Sequence, residues 1–551
     1  NLYQNIFAPG SIRNRYVPVF GGGVELERVA VGGVVLADRS AETTGFPTGA
    51  GYSVRGTLGH LTLPAAILPG DSATFEIAWH HKVPPKGAFR TGWEDALGGR
   101  AYVVGQWYPQ IATYDDLRGW DDTPYLGDGE FYLDYGDFDV ALTLPQQWLA
   151  GATGTLTNPG EVLSPAANAR LAAAMGGQGG LVAGPDESAA RTATAAGAGG
   201  KVTWRWHAEN VRDFAFATSD HYRWEVGHAP VQGADGTRRV AVNVLYRPGA
   251  PGWEQAGRYG AHAISFLSSR LAPYPYPQVT VAEGPIAGME YPMMVFIARP
   301  AAAADLQSVI AHEVGHEWFP MTVGSDEASY AWMDEGINSY DEELAVADFF
   351  PGTTPWMDDR ASYLRVAGRD NEVPLMRHTD LVSPYGARTM AAYTKPAVVL
   401  GALRGVLGDS VFSRAMRTYV REWSWRHPQP WDFFHTVERV SGRDLSWFWN
   451  PWFYGTPTLD QAVTRVETVS GGVRVTVRDV GGIPMPATVT VTSGDAGKTA
   501  VDIPVDAWLR GVREVTVSVP TLGAVTRVEV DAEQRYPDAD RTNNVWVPSG
   551  S

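Results

Sequence analysis

The chain has 551 residues, of which 44% are apolar and 19% charged, a composition typical of a globular protein with room for several domains. The net charge is −17 and there is no basic block that could displace counterions from a phosphate backbone, which excludes nucleic acid as a partner. Cysteine is absent, so disulfides are excluded and a metal site must use histidine and carboxylate ligands. No run of 18 or more apolar residues predicts a transmembrane helix.

Residues 1–217 have the pattern of an N-terminal antiparallel β domain. Short apolar runs alternate with glycine, proline and aspartate turns, which predicts strands joined by tight connections. Residues 166–200 are rich in alanine and glycine and predict a surface insertion, with one short helix near Ala166–Met175. The clearest strand-like runs are residues 61–64, 73–79 and 138–144.

Residues 218–455 change to helical spacing and predict a mainly helical domain. Strand-like alternation returns in residues 456–551 and predicts a C-terminal β-sandwich. The fold class expected from the sequence is therefore a multidomain α+β protein. The predicted helices are Trp253–Leu271, Asp305–Phe319, Asp334–Phe349, Pro396–Leu407 and Ser410–Trp423.

The central motif is the pentapeptide from His312 to His316, which has the form His-Glu-x-x-His. It lies on a predicted helix that Asp305 would cap and Pro320 would end. Residues four apart share one helical face, so both imidazoles can reach one ion. Glu313 can address the open position of that ion and remove a proton from a water molecule as the water attacks a carbonyl group.

A catalytic zinc ion needs a third protein ligand, and Glu335 is the candidate. It follows His316 with 18 residues between them and stands at the start of the next predicted helix. Glu342 lies seven residues further, two helical turns along the same face. It could accept a hydrogen bond from a ligating imidazole, or it could belong to a charged, solvated helix face.

The chain resembles the aminopeptidase N family of gluzincin metallopeptidases, which includes leukotriene hydrolase. The resemblance covers roughly residues 50–455 and is closest to bacterial members. It implies a saddle-like N-terminal β domain, a thermolysin-like catalytic domain and a smaller C-terminal domain, here placed at residues 1–217, 218–455 and 456–551. The motifs that carry it are the histidine pair with Glu335, the run Ala287-Gly-Met-Glu290-Tyr291, and Tyr393-Thr-Lys395.

The resemblance also implies roles for individual residues. Glu290 would bind the free α-amine of a peptide, and the backbone around Gly288 and Met289 would line the substrate as an edge strand. Tyr393 would donate a hydrogen bond to the oxyanion. A carboxylate is a suitable counter-charge for an ammonium group, and a phenol acts where charge develops in the transition state.

The chain departs from the family pattern around the amine-binding residues. Ala287 replaces a glycine, Tyr291 an asparagine, and Pro396 the glycine after Tyr-x-Lys. Family members also carry a Glu or Gln in the N-terminal domain as a second amine anchor. Gln106 is the candidate for that anchor here, in preference to Gln110.

The sequence therefore predicts a zinc aminopeptidase with one zinc ion per chain and a peptide substrate. Two alternatives stay open. One is an endopeptidase or another amide or epoxide hydrolase on the same scaffold, and the other is a binding role for the C-terminal domain. The first residue is Asn1 rather than methionine, which indicates a removed N-terminal segment and an expected secreted or periplasmic location, with the cytoplasm as the alternative. The sequence predicts no oligomeric state.

Overall fold

The computed structural model divides the chain into two units. The first unit comprises Asn1–Ala328, Asp348–Pro351 and Trp423–His427, and the second comprises Ser329–Ala347, Gly352–Glu422 and Pro428–Ser551. The predicted boundaries near residues 217 and 455 stay predictions. The structure describes residues 1–13, 17, 20–41, 49–184, 186–187, 192–300, 302–494, 497–521 and 523–548.

Short antiparallel strands form the N-terminal part of the first unit, as the sequence predicts. They pair in the orders β2-β1-β5, β10-β14-β12 and β11-β15-β7-β6, with the hairpins β3-β4 and β8-β9. These strands are β1 (Glu25–Val31), β2 (Val34–Val35), β3 (Gly51–Arg55), β4 (Leu58–Thr62), β5 (Phe75–His80), β6 (Gly92–Ala96), β7 (Gly99–Val104), β8 (Tyr114–Asp115), β9 (Gly119–Trp120), β10 (Gly136–Pro145), β11 (Leu149–Ala152), β12 (Thr155–Leu156), β13 (Gly180–Ala183), β14 (Lys201–Val211) and β15 (Phe216–Ser219).

The alanine-rich insertion contains the predicted short helix. A brief helix α1 (Pro159–Val162) precedes α2 (Pro165–Ala173), which begins where Ser164 accepts a hydrogen bond from the amide of Ala167. Pro165 then occupies the first helical turn, where the missing N–H costs nothing.

The start of the region that the sequence predicts as mainly helical, residues 218–455, also contributes five strands to a six-stranded sheet, which the sequence analysis did not predict. The order of this sheet is β13-β16-β17-β18-β20-β19, with parallel pairing between β17, β18 and β20. Strand β18 is buried along its whole length, although three of its six residues, Gln278, Thr280 and Glu283, are polar. The new strands are β16 (Arg223–Gly233), β17 (Gly236–Tyr246), β18 (Gln278–Glu283), β19 (Gly288–Tyr291) and β20 (Met294–Ile297).

A buried ionic network joins this sheet to the N-terminal strands. The guanidinium of Arg247 is fully buried, and its Nη2 atom lies 2.6 Å from Glu94 and 2.7 Å from Glu283. Arg299 contacts the same two carboxylates. Because a buried charge that loses its partner is costly, about 3–5 kcal/mol in general, this network fixes β6 against β18.

Helices dominate from residue 256 to residue 454, and all five predicted helices are present, with ends at most four residues from those expected. Single π-helical turns at Trp332–Gly336 and Met390–Thr394 precede α5 and α8. The indole of Trp332 packs on Phe433, Phe434 and Phe453 with ring centroids 4.8–5.9 Å apart, so these aromatic residues form core. The helices are α3 (Ala256–Arg270), α4 (Ala303–Gly315), α5 (Ile337–Phe349), α6 (Met357–Leu364), α7 (Tyr385–Thr389), α8 (Lys395–Leu407), α9 (Asp409–Trp423), α10 (Pro430–Ser441) and α11 (Ser446–Tyr454).

The C-terminal residues form the predicted β-sandwich. The sheets β21-β22-β25 and β24-β23-β26-β27 are antiparallel and share a valine-rich core. Val473, Val475 and Val477 alternate with polar neighbours on β22, as expected for a strand with one face in that core. The elements are β21 (Gln461–Val469), β22 (Gly472–Asp479), β23 (Ala487–Ser493), β24 (Gly497–Ile503), α12 (Asp506–Leu509), β25 (Glu514–Pro520), β26 (Val525–Val530) and β27 (Val545–Trp546).

Within the ranges that the structure describes, no helix combines the length and the apolar character needed to cross a membrane.

Candidate metal and substrate site

The two predicted histidine ligands lie at the C-terminal end of α4. Their Nε2 atoms are 3.1 Å apart, so both can address one ion. Helix α4 starts at Ala303 with Ala302 as its N-cap, and Asp305 lies in the first turn, so the predicted cap at Asp305 is wrong. An aspartate in the first turn still complements the helix dipole, which is why it marks the approximate start.

A backbone contact fixes the ring of His316. Its Nδ1 atom lies 2.8 Å from the carbonyl oxygen of Phe319, a group that can only accept a hydrogen bond. Nδ1 therefore carries the proton, and the Nε2 lone pair is left to face a metal ion. This is the arrangement expected of a ligating imidazole, and the residues present fit a zinc ion.

Glu317 ties the same helix end to the sheet, and the sequence analysis missed it. Its carboxylate accepts a hydrogen bond from the backbone amide of Met293, 3.1 Å away, in the turn between β19 and β20. Burial raises the pKa of Glu317 to about 8, and the hydrogen bond from Met293 opposes that rise only in part. The residue follows His316 directly, so the contact helps to set the position of the histidine.

Glu313, the predicted base, lies beside the predicted amine anchor. One ligand atom from each of Glu290, Glu313 and His316 falls within 4.8 Å of the other two. Glu290 is held on the sheet-edge strand β19, where it pairs with Val295 of β20. A Cβ atom at Gly288 would lie 2.1 Å from Glu313 Oε1, so glycine is what lets this strand run against the base.

Tyr291 departs from the family pattern, and its buried neighbours show how the structure accommodates it. Tyr291 is fully buried, and its hydroxyl donates to the carbonyl oxygen of Arg90 and accepts from the side-chain amide of Gln106, at 3.1 and 3.2 Å. A Cβ atom at Gly105 would lie 2.0 Å from the Tyr291 hydroxyl, so glycine makes room for it. The structure thus engages the Gln106 amide with Tyr291, and an amine-binding role for Gln106 stays a prediction. Gln110 instead donates to Asp213.

A different residue of the N-terminal part stands beside the amine anchor. Carboxylate oxygens of Glu130, Glu290 and Glu327 all lie within 4.8 Å of one another. Glu130 pairs with Arg90, and Glu327 pairs with Arg212 at 2.9 Å. Two arginines thus accompany these carboxylates in a largely buried part of the molecule. No spacing rule points to Glu130 or Glu327, because the fold brings them to Glu290 from distant parts of the sequence.

The second unit holds the other two principal predicted residues, Glu335 and Tyr393. Each lies in one of the two π-helical turns, and the Tyr393 hydroxyl donates to the Glu335 carboxylate. A Cβ atom at Gly336 would lie 2.4 Å from the ring of Pro396, so the two turns pack closely. Pro396 lies in the first turn of α8, where proline is tolerated because its missing N–H is not needed. It can therefore stand where the family has a glycine.

The roles predicted for Met289 and Glu342 stay predictions. Met289 is buried on β19 and pairs with Phe296. Glu342 lies near Glu343 and Asp359, on the acidic side of α5. Burial, followed by the charge of Glu342, raises the pKa of Glu343 to about 7. Glu342 therefore lies among other acidic side chains.

Comparison with known proteins supplies the family. Residues 261–452 match the peptidase family M1 domain. This segment is therefore similar to the M1 peptidase domain over about a third of the chain. It is 25% identical over 214 residues to aminopeptidase M1-C of Oryza sativa, which covers 35% of this chain and 24% of that protein. It is 24% identical over 221 residues to leucyl aminopeptidase of Saccharolobus solfataricus, which covers 36% and 28%.

Solved structures of this family share the fold. One is aminopeptidase A of Legionella pneumophila in complex with aspartic acid. The match covers 94% of this chain and 54% of the Legionella chain, with a TM-score of 0.63 and 14% sequence identity. A mutant M1 zinc metallopeptidase of Deinococcus radiodurans, bound to a Tyr-Ser-Ala substrate, matches 79% and 85%, with a TM-score of 0.52 and 18% identity. The curated relatives quoted above are matched over about a quarter of their length. Zinc is the metal of M1 metallopeptidases, and the histidine pair of α4 is a candidate pair of ligands for it.

Proposed function

We propose that this chain is a zinc-dependent aminopeptidase that removes N-terminal residues from peptides. The observation that carries the proposal is the closeness of Glu290, Glu313 and His316, whose ligand atoms lie within 4.8 Å of one another. The amine nitrogen and the first carbonyl carbon of a peptide are about 2.5 Å apart. An ammonium group held at Glu290 would therefore present the first peptide bond, and no later one, to Glu313.

The metal in this proposal is held by His312, His316 and Glu335. The M1 match spans all three residues, and two imidazoles with one carboxylate are a common donor set of catalytic zinc. When bound, zinc would polarise the carbonyl group of the scissile bond and lower the pKa of a water molecule.

The side chains of the protein then perform the proton transfers. Glu313 removes the proton of the attacking water and delivers it to the departing amine nitrogen, so one carboxylate acts first as base and then as acid. The Tyr393 hydroxyl donates a hydrogen bond to the oxygen on which negative charge develops. These roles follow from the family resemblance and from the chemistry of the groups.

Glu130 supplies the second amine anchor in place of Gln106. The Gln106 amide already donates to Tyr291, whereas the Glu130 carboxylate lies within 4.8 Å of Glu290. The charge of the site supports this assignment. Carboxylates outnumber the two arginine partners in this cluster, and a substrate ammonium group would add positive charge there.

The proposal is tested with peptide pairs that differ only at the N-terminus. The zinc-loaded protein is incubated with a tripeptide and with its N-acetylated form, and the products are identified by mass spectrometry. Release of the first residue from the free peptide, with much slower cleavage of the acetylated one, is the expected result. Equal or faster cleavage of the acetylated peptide would show an endopeptidase or another amide hydrolase instead.

A further inference from the structure

A cleft of about 440 Å³ in the second unit is lined by three arginines that the proposed reaction does not use. Arg360 comes from α6, Arg404 from α8, and Arg535 from the chain that follows β26. Three guanidinium groups around one opening repel one another, so the arrangement calls for counter-charges.

Two of the three arginines have carboxylate partners. Arg404 Nε donates to Asp409 at 2.6 Å, and Arg535 donates to Glu533 through two nitrogens at 2.6 and 2.8 Å. Both carboxylates are well exposed, with 76% and 72% of their side-chain surface accessible, so solvent screens these pairs.

Arg360 has no carboxylate partner among the described residues. Its Nη1 atom donates to the carbonyl oxygen of Gln534, and its Nε atom is buried without a hydrogen-bond partner. Burial lowers the pKa of Arg360. Asp531 opposes that effect and the charge of Arg541 adds to it. The Nε atom is closed off from the cleft, so a ligand there would be bound by the terminal nitrogens of the guanidinium, and its acceptors would offset part of the cost of burying this charge.

The start of a long helix adds to the positive potential. Helix α9 has 15 residues and begins at Asp409, and both Gly408 and Asp409 line the cleft. The first amide groups of a helix and its dipole favour negative charge nearby. The helix end and the guanidinium of Arg360 therefore act in the same direction.

We propose that this cleft binds an oxyanion, as a phosphate, sulfate or carboxylate group held by Arg360, Arg404 and Arg535. These are the groups whose paired oxygens match the fork of a guanidinium. The two exposed carboxylates pair with Arg404 and Arg535, the opposite charges of Asp531 and Arg541 lie near Arg360, and the oxyanion would pair with Arg360 itself. The proposal is independent of the peptidase function, because none of its residues belongs to the zinc or amine-binding groups.

The test titrates the full, zinc-loaded chain with inorganic phosphate by isothermal titration calorimetry at constant ionic strength. Sulfate and acetate are titrated in parallel to distinguish tetrahedral from planar oxyanions. One saturable site is expected for at least one of these anions. Arg360→Gln and Arg535→Gln should each weaken its binding about tenfold or more. Arg421→Gln, at a residue of α9 with 69% of its side chain exposed, serves as the matched charge control.

The outcomes separate this cleft from other anion sites. Phosphate bound at the zinc ion would be weakened by neither arginine variant, so equal binding in the wild type, the two variants and the control would overturn the proposal. Absence of saturable binding for all three anions would overturn it as well. Arg535 is half exposed, so its variant is expected to keep the fold, and circular dichroism verifies this.

Discussion

Tyr393 donates its phenolic hydroxyl to the carboxylate of Glu335, and both residues lie in single π-helical turns that directly precede long helices. Such turns insert an extra residue into a helix and are frequent at functional sites. Close packing of Gly336 on Pro396 holds the two turns together. The tyrosine is therefore positioned by the turn that carries the proposed metal ligand.

Replacing Tyr393 by phenylalanine should lower kcat about a hundredfold and change KM much less. The ring and its packing remain, but the donor for the developing oxyanion is lost. Steady-state kinetics with a free tripeptide measures both constants. Tyr454→Phe, at an exposed tyrosine, is the control. An unchanged kcat in the Tyr393 variant would remove this residue from the mechanism.

Glu313→Gln should keep its zinc and lose at least about a thousandfold in kcat, because glutamine has the same shape but cannot accept the proton. The metal content is measured by atomic absorption and the turnover with the same tripeptide. Glu209→Gln, on an exposed strand, should behave as wild type. Retained turnover would contradict the assignment of the base, and loss of zinc would point to a structural role.

Glu130→Gln should lower kcat/KM about tenfold or more for peptides with a free amine and leave the slow cleavage of acetylated peptides unchanged. The amide keeps the size of the side chain and removes the charge that would pair with the ammonium group. The ratio between the two substrates is the decisive quantity, since a general loss of structure would lower both rates. Glu161→Gln, an exposed glutamate, is the matched control.

Asp213 should make stability depend on pH. Burial raises its pKa to about 6, and hydrogen bonds from Tyr108, Phe214 and Gln110, together with the charge of Arg212, oppose that rise only in part. The folded state therefore binds the proton more tightly than the unfolded chain. This contribution to stability is complete below pH 4 and is lost as the pH rises through 6.

Between pH 5 and pH 8 the free energy of unfolding of the wild type should fall by about 1–2 kcal/mol relative to that of Asp213→Asn. Urea denaturation at both pH values measures the difference. Asp139→Asn, at an aspartate with 87% of its side chain exposed, provides the control. Parallel pH profiles for the wild type and Asp213→Asn would contradict the prediction.

Much of the site could be predicted because its chemistry depends on local spacing. His312 and His316 are four residues apart on one helix, and the start of α5 was expected near Glu335. The π-helical turn that holds Glu335 could not be foreseen, since one extra residue in a helix leaves no trace in the periodicity of apolar residues. Strand β18 was missed because it is short and three of its six buried residues, Gln278, Thr280 and Glu283, are polar, so it does not look like a core strand.

The amine-binding end was less predictable because it depends on long-range contacts. Glu130 and Glu290 are 160 residues apart, and nothing in either neighbourhood marks them as a pair. The departures from the family pattern at Tyr291 and Pro396 could be seen in the sequence. Explaining them required knowing which residues they contact in the fold. Tyr291 occupies the space that Gly105 leaves, and Pro396 packs on Gly336.

The close approach of Gly288 to Glu313 has a consequence for how this motif can vary among natural sequences. A methyl group at position 288 would lie 2.1 Å from the Glu313 carboxylate and would displace it, so a residue other than glycine there should lower activity. Ala287 and Tyr291 differ from the family pattern, and Gly105 makes room for Tyr291. A search for distant relatives should therefore demand glycine at this one position and leave its flanking residues free.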